Sequence, residues 1–389
     1  MKVALILDHF DPARGGLERY AADWAGWLLR RGHDVHVVAG DGNVATGEAI
    51  ILHRIDGSNL DAFGQAEQLA AQAEALAPDA VHDFGAGLGG DIFHPLGGAR
   101  GAGRAGELRA LGFARRWRRR MSPGWRRKQV RFDALAREQL KDPNRLVVAC
   151  SDRVSRDLLQ LAGHSRLNLR VVYNAVDCRR FTPYPPAERA AIRKSEGWPP
   201  SGTLFLQVAH NFRLKGVAQA LKAMARLVIQ GFDIHLAVAG RGPNLDHYQG
   251  LAGRLGILAR VRFLGPVEDV RRLYAAADAL VHPAFYDSCS LACLEAWASG
   301  LPIAVSAEDG VSGLLTEGVQ GCLIRDPGDP AEIAFQMKQL LDPGQREAMG
   351  AQGRVLAEHN GAEDAFFRLE ALCCEAAQMR LARMRGNVA

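Results

Sequence analysis

Val281-His282-Pro283-Ala284-Phe285-Tyr286-Asp287-Ser288-Cys289-Ser290-Leu291-Ala292-Cys293-Leu294-Glu295-Ala296-Trp297-Ala298-Ser299-Gly300-Leu301-Pro302 is the stretch from which the rest of the chain is read. It opens with a short apolar strand, Ala279 to His282, which Pro283 stops because proline cannot donate to a ladder. Ser288 and Ser290 then offer N-cap side chains to a helix whose apolar face is Leu291, Leu294 and Trp297 or Ala298. Gly300 and Pro302 end the helix, and Ile303-Ala304-Val305 begins another strand. Two acids, Asp287 and Glu295, therefore bracket a helix N-terminus at the carboxyl end of a strand. In an open parallel sheet that is where ligands bind, and the free N–H groups there favour phosphate. The five to six helical residues between them rise about 7–9 Å.

Taken alone, the two acids read as a loop carboxylate and a solvated helix carboxylate. Their spacing, however, resembles the acidic-x7-acidic signature of the retaining family 4 glycosyltransferases, usually Glu at both ends, and three further motifs support the match. The resemblance runs nearly the whole chain and looks closest to enzymes that add glucose to the inner core of bacterial lipopolysaccharide. It implies an α/β chain of GT-B fold, two Rossmann-like doubly wound domains facing a cleft. It also implies that Glu295 binds the donor ribose, that Asp287 approaches the transferred sugar, and that Ser288, Cys289, Ser290 and Leu291 line the donor.

Composition agrees with a large folded protein. A chain of 389 residues, 48% hydrophobic and 23% charged, calls for two domains. No apolar run reaches membrane-spanning length, and Met1 leads directly into a strand rather than a signal peptide. Seven cysteines without a C-x-x-C pair read as reduced thiols in the cytoplasm. The net charge of +5 is unevenly spread: Arg100 to Arg131 holds 12 basic residues and one acid, and the remainder is net acidic. An anionic partner is thus expected for that segment alone.

From the N-terminus, Lys2 to Asp8 reads as a buried strand, Leu17 to Arg31 as an amphipathic helix, and Asp34 to Ala39 as the next strand. Gly15-Gly16 at the first turn permits close approach of a ligand, and the resemblance places it facing the donor diphosphate. Ala80 to His82 and Asp91 to His94 are further strands. His94 matches a position where the family places a histidine beside the acceptor and the reacting sugar. Gly85 to Gly90 and Gly101 to Gly106 both satisfy G-x-G-x-x-G. Neither reads as a dinucleotide fingerprint, since the first lacks an adequate following helix and the second a preceding strand.

Leu146 to Ala149 and Leu169 to Tyr173 close the first half. Asn174-Ala175-Val176-Asp177, with Phe181-Thr182-Pro183 downstream, resembles the family's interdomain crossover, Ala175 standing where glycine is usual. The expected domains are 1–175, binding the acceptor; 176–360, binding the nucleotide sugar; and 361–389, a helix crossing back onto the first. In the second half, strand Thr203 to Ala209 leads into Arg213 and Lys215. The resemblance makes these the cations that clasp the donor diphosphate, where a departing nucleoside diphosphate accumulates negative charge. Gly240 and Val267 follow two more strands, and in the family such turns touch the donor. The catalytic candidates are therefore Asp287, Lys215, Arg213 and His94.

No D-x-D motif and no H-E-x-x-H cluster is present, so neither a metal nor another cofactor is expected. The nucleotide sugar, UDP-glucose by resemblance, is a substrate. Neither the donor base nor the acceptor can be read from the motifs themselves. A nicotinamide oxidoreductase would rest on the glycine matches and fails for want of a distal acid after a proper strand–turn–helix. A nucleic-acid-binding protein would rest on the basic segment, which has no recognisable binding module.

Instead, Gly106 to Phe132 reads as a surface for an anionic membrane carrying a lipid-linked saccharide acceptor. Leu108, Leu111, Ala114, Trp117 and Met121 recur at helical spacing among arginines. That places the protein on the inner face of the cytoplasmic membrane.

Overall fold

The computed structural model describes residues 1–43, 49–57, 59–163 and 167–386. The last three residues of the expected C-terminal segment lie outside them. Two compact units are present. The first comprises Met1–Gly103, Trp117–Tyr173 and the chain from Glu363 on; the second comprises Arg104–Arg116 and Asn174–Ala362.

The first unit is built on a seven-stranded parallel sheet. Its strands are β1 (Lys2–Phe10), β2 (Asp34–Gly42), β3 (Ile51–Arg54), β4 (Ala80–Asp83), β5 (Ile92–Phe93), β6 (Leu146–Ala149) and β7 (Asn168–Val171), in the order β3-β2-β1-β4-β5-β6-β7. Val3 to Leu7 of β1 is buried throughout, as a strand covered on both faces requires. The helices are α1 (Gly16–Arg30), α2 (Ala62–Ala75), α3 (Arg100–Arg109), α4 (Phe113–Met121), α5 (Pro123–Gln139) and α6 (Asp152–Ala162). The division between units falls within α3 and within α4.

The second unit has six parallel strands: β8 (Thr203–Val208), β9 (Ile234–Ala239), β10 (Val261–Gly265), β11 (Ala279–His282), β12 (Ile303–Ser306) and β13 (Gly321–Ile324). Their order is β10-β9-β8-β11-β12-β13. Around them lie α7 (Pro186–Ser195), α8 (Val217–Ile229), α9 (Leu245–Arg254), α10 (Arg271–Ala276), α11 (Leu291–Ala298), α12 (Pro330–Gln339) and α13 (Pro343–His359). α14 (Ala362–Gly386) returns to the first unit, where Phe366 packs 5.4–5.9 Å from the rings of Tyr20, Trp24 and Trp27.

Each sheet reverses its strand order once, beside β1 and beside β8. Such reversals splay the following loops to opposite faces and open a crevice at the carboxyl ends of the two strands. In the second unit the crevice lies between β8 and β11, whose loops carry Lys215 and Asp287.

Both G-x-G-x-x-G matches have structural explanations. The amides of Gly85, Ala86 and Gly87 converge on Asp83 Oδ1 at 2.8, 2.8 and 2.9 Å, so the first is an anion nest filled by the chain's own carboxylate. Arg145 pairs with the same Asp83 at 2.8 Å, with both side chains essentially buried. The second match lies inside α3.

The basic segment departs from expectation. Leu108 and Leu111 are buried, and residues 110–112 interrupt the helix. Exposed apolar side chains include Phe113, Trp117 and Met121, four residues apart on α4, and Val130 on α5.

Candidate active site

The second unit gathers its polar residues at the carboxyl edge of its sheet. After β8 the chain turns through Asn211, which takes the left-handed conformation and accepts the Leu214 N–H on its side chain. Gln207 Nε2 donates to Lys215 O at 2.7 Å, and Gly216, at φ +69°, starts α8. A side chain at Gly216 would run directly into the Pro283 carbonyl oxygen, so glycine is required for the β8 and β11 loops to meet. Phe285 N–H donates to Leu214 O at 2.8 Å and ties the two loops together.

Across that seam Lys215 Nζ pairs with Asp287 Oδ2. His282 Nε2, from the end of β11, reaches the same oxygen at 3.0 Å, so this nitrogen carries the proton. Burial raises the Asp287 carboxyl, but the Lys215 charge and the His282 hydrogen bond outweigh it and hold it below the usual range.

A third acid completes the cluster. Asp309, fully buried after β12, accepts the Ser290 and Val311 N–H groups on Oδ1 at 3.1 and 2.9 Å. Its Oδ2 makes no hydrogen bond and lies 3.5 Å from His282 Nε2. Burial, with the Asp287 charge added, pushes its carboxyl up to about 6. His282, Asp287 and Asp309 bring donor atoms within 4.8 Å of one another, but the Lys215 ammonium already supplies cationic charge there. A search for D-x-D or H-E-x-x-H could not find this cluster, because His282 and Asp287 are five residues apart at the end of β11 and Asp309 follows a different strand, β12. The apolar-strand pattern before each loop was the available signal.

Ser290 caps α11 as expected, its hydroxyl accepting from Cys293 N. The helix leaves the Leu291 and Ala292 N–H groups without intrahelical partners, as every helix start does. Ser288, Cys289 and Ser290 are buried and Leu291 is half-buried. Farther along α11, Glu295 Oε2 accepts the O–H of Tyr274, which comes from α10, at 2.7 Å. Burial first, then the Glu295 charge, pushes the phenol well up, so Tyr274 remains a donor. Asn174, from the crossover motif, donates to Cys289 O at 3.0 Å and steadies the loop before the helix. Ala175 in that motif is buried and needs no positive φ.

Arg213 is exposed. Among described residues its side chain has no hydrogen bond or ion pair, and its charge acts on Tyr248 instead. Gly240, at φ +115°, lets β9 approach the Ala209 carbonyl, a packing requirement in its own right. Val267 is half-buried in the turn after β10.

In the first unit, His94 is fully buried at the end of β5. Its Nδ1 lies 3.2 Å from His82 Nε2 and its own Nε2 has no partner. Burial pulls it down to about 3, so it is neutral at physiological pH. Gly15 and Gly16 open α1 without a side-chain cap. The Glu18 carboxylate stands over Gly15, so this helix start faces one of the chain's own acids.

Comparison with known proteins agrees with this arrangement. Residues 14–180 match Glycosyltransferase Family 4, and residues 188–355 match Glycosyl transferases group 1. A D-inositol 3-phosphate glycosyltransferase of Catenulispora acidiphila is 31% identical over 223 residues, 54% of this chain and 51% of that protein. The chain spans about half the length of the curated relatives it matches. The crystal structure of WaaG, a glycosyltransferase involved in lipopolysaccharide biosynthesis, superposes with a TM-score of 0.77 at 22% identity, covering 97% of this chain and 99% of that one. Anabaena HepE, in complex with UDP and glucose, superposes at 0.71 and 18% identity, covering 95% and 98%. These likenesses establish the GT-B fold. With two parallel-sheet Rossmann-like units and both matches in sequence order, the chain carries a Glycosyltransferase Family 4 domain followed by a Glycosyl transferases group 1 domain.

Proposed function

We propose that this chain transfers a hexose from a nucleotide diphosphate sugar, with UDP-glucose as donor, retention at the anomeric carbon and no metal requirement. The observation that carries the reading is the Lys215–Asp287 pair at the β8/β11 crevice, beside the start of α11 and Glu295. An incoming diphosphate would draw Lys215 toward itself and find N–H groups at Leu291 and Ala292. Glu295, oriented by Tyr274, would accept from ribose hydroxyls, leaving Asp287 toward the sugar. As the leaving diphosphate gains charge, the lysine stabilises it.

The acceptor is proposed to be a lipid-linked saccharide, an inner-core heptose of lipopolysaccharide, met at the inner face of the cytoplasmic membrane. Support comes from the exposed Phe113, Trp117 and Met121 beside Arg115, Arg118, Arg119 and Arg120, which are exposed as well. Aromatics with basic side chains suit a headgroup zone, at about 1 kcal/mol for each cation near anionic lipid. No described helix is long and apolar enough to cross a membrane. A second reading, transfer to inositol phosphate, follows the name of the curated relatives.

A panel of nucleotide sugars tests the donor. UDP-glucose should raise the melting temperature most, by linkage, and Lys215→Ala should abolish the gain. Incubation with inner-core lipopolysaccharide or D-inositol 3-phosphate then separates the acceptors, with the product anomer read by NMR and chelator added in parallel. Stabilisation by no nucleotide sugar, or turnover unchanged in Lys215→Ala, would overturn the assignment.

A further inference from the structure

The basic segment contains one arginine with a different task from the rest. Arg109, at the end of α3, grips Glu308 through both arms: Nη1 to Oε1 at 2.7 Å and Nη2 to Oε2 at 2.6 Å. Nη2 also donates to Phe285 O at 2.8 Å. One guanidinium therefore holds the loop after β12 and the loop after β11 at once. The backbone between these loops is stitched as well, since Asp287 N–H donates to Glu308 O at 3.1 Å and Gly310 N–H to Asp287 O at 3.0 Å. α3 is seated closely against the same place. A Cβ added at Gly106 would meet Tyr286 Cβ at 2.6 Å and Phe285 O at 2.8 Å. Residues 104–116 belong to the second unit for this reason, although they fall early in the chain.

We infer that Arg109 is a positioning residue for Asp287, holding the Phe285–Asp287 loop against the Glu308–Gly310 loop so that the Asp287 carboxylate stays in register with Lys215 and His282. This rests on the role given to Asp287 above. A planar, bidentate fork suits the task because it fixes orientation as well as distance, which a lysine point charge does not. The side chain touches neither the Asp287 carboxylate nor the crevice groups that would meet a nucleotide, so its removal leaves the binding groups intact. A displacement of about 1 Å in a reacting group costs on the order of 100-fold in rate. Removal of Arg109 is therefore expected to lower kcat rather than binding.

The test compares wild type, Arg109→Ala, Arg109→Lys, Glu308→Ala and the double variant, with Gly106→Ala as an independent way of unseating α3. Two readouts are used. Amide exchange at Asp287 and Gly310 reports the stitching whatever the enzyme's substrate. Glucose transfer or hydrolysis of UDP-glucose, with UDP affinity measured separately, reports the chemistry. We expect faster exchange at these two amides in Arg109→Ala and Gly106→Ala, with β8 and β9 unchanged. We also expect kcat lowered about 10- to 100-fold with UDP affinity within about twofold, and partial recovery in Arg109→Lys. The double variant should be no worse than Arg109→Ala alone, because the two groups act as one contact. Unchanged exchange at Asp287 and Gly310, additive effects in the double variant, or loss of UDP affinity in step with kcat would each overturn the inference. If wild type turns over no nucleotide sugar while the exchange result holds, the functional reading fails and the brace stands as structure only, so Arg109 loses its catalytic relevance.

Discussion

Asp309→Asn should stabilise the second unit above neutral pH, against the usual direction for a buried polar substitution. The native carboxyl is raised from 3.8 to about 6, by burial first and by Asp287 second, with His282, the Val311 amide and Lys215 opposing. A carboxyl that binds its proton more tightly when folded costs nothing while protonated in both states. Its cost appears as pH climbs through about 4 and is complete above about 6. The rise from 3.8 to about 6, at 1.36 kcal/mol for each tenfold change in proton affinity, gives a penalty of about 3 kcal/mol at neutral pH. Asparagine keeps an oxygen for the Ser290 and Val311 amides and carries no charge to desolvate. Because a two-unit chain need not unfold in one step, the assay is hydrogen exchange of the slowest amides in β8 and β11. Measured at several pH values between about 4 and 8, the variant should equal the parent at the acid end and exceed it by about 3 kcal/mol at the other. A difference that stays constant across that range, or a variant less stable at neutral pH, would refute the argument.

Two other substitutions are expected to separate packing from chemistry. Gly216→Ala should destabilise the second unit by about 2 kcal/mol or more, because the residue needs a positive φ and its Cβ would strike the Pro283 carbonyl; thermal melting checks this. Asp287→Asn should lower sugar transfer about 100-fold or more while UDP affinity, measured by calorimetry, changes little. Collapse of UDP affinity with normal turnover of the residual complex would instead make Asp287 a nucleotide ligand.

Much of this arrangement follows from local pattern. Apolar runs of four to nine residues, each ended by a polar loop and a helix start, specify the alternation of strand and helix in both units. Parallel pairing then brings Lys215, Gly240, Val267 and Asp287 to one sheet edge, since every loop after a parallel strand emerges on the same side. Ser290 as N-cap was legible for the same reason, since it works within a few residues of its own motif, whereas Asn174 was marked only by resemblance and its partner, Cys289 O, lies 115 residues away.

Tertiary structure alone decided the rest. Asp309 looks like any loop acid, and only the packing of β11 beside β12 buries it against His282 and raises its carboxyl. Leu108 and Leu111 share a helical period with Trp117, yet burial separates them, because periodicity specifies a face and not what covers it. Arg109 lies within a run whose charge reads as one surface feature, and it finds Glu308 nearly two hundred positions away. Pairings across that distance depend on where the chain returns, which a local pattern of residue types does not encode.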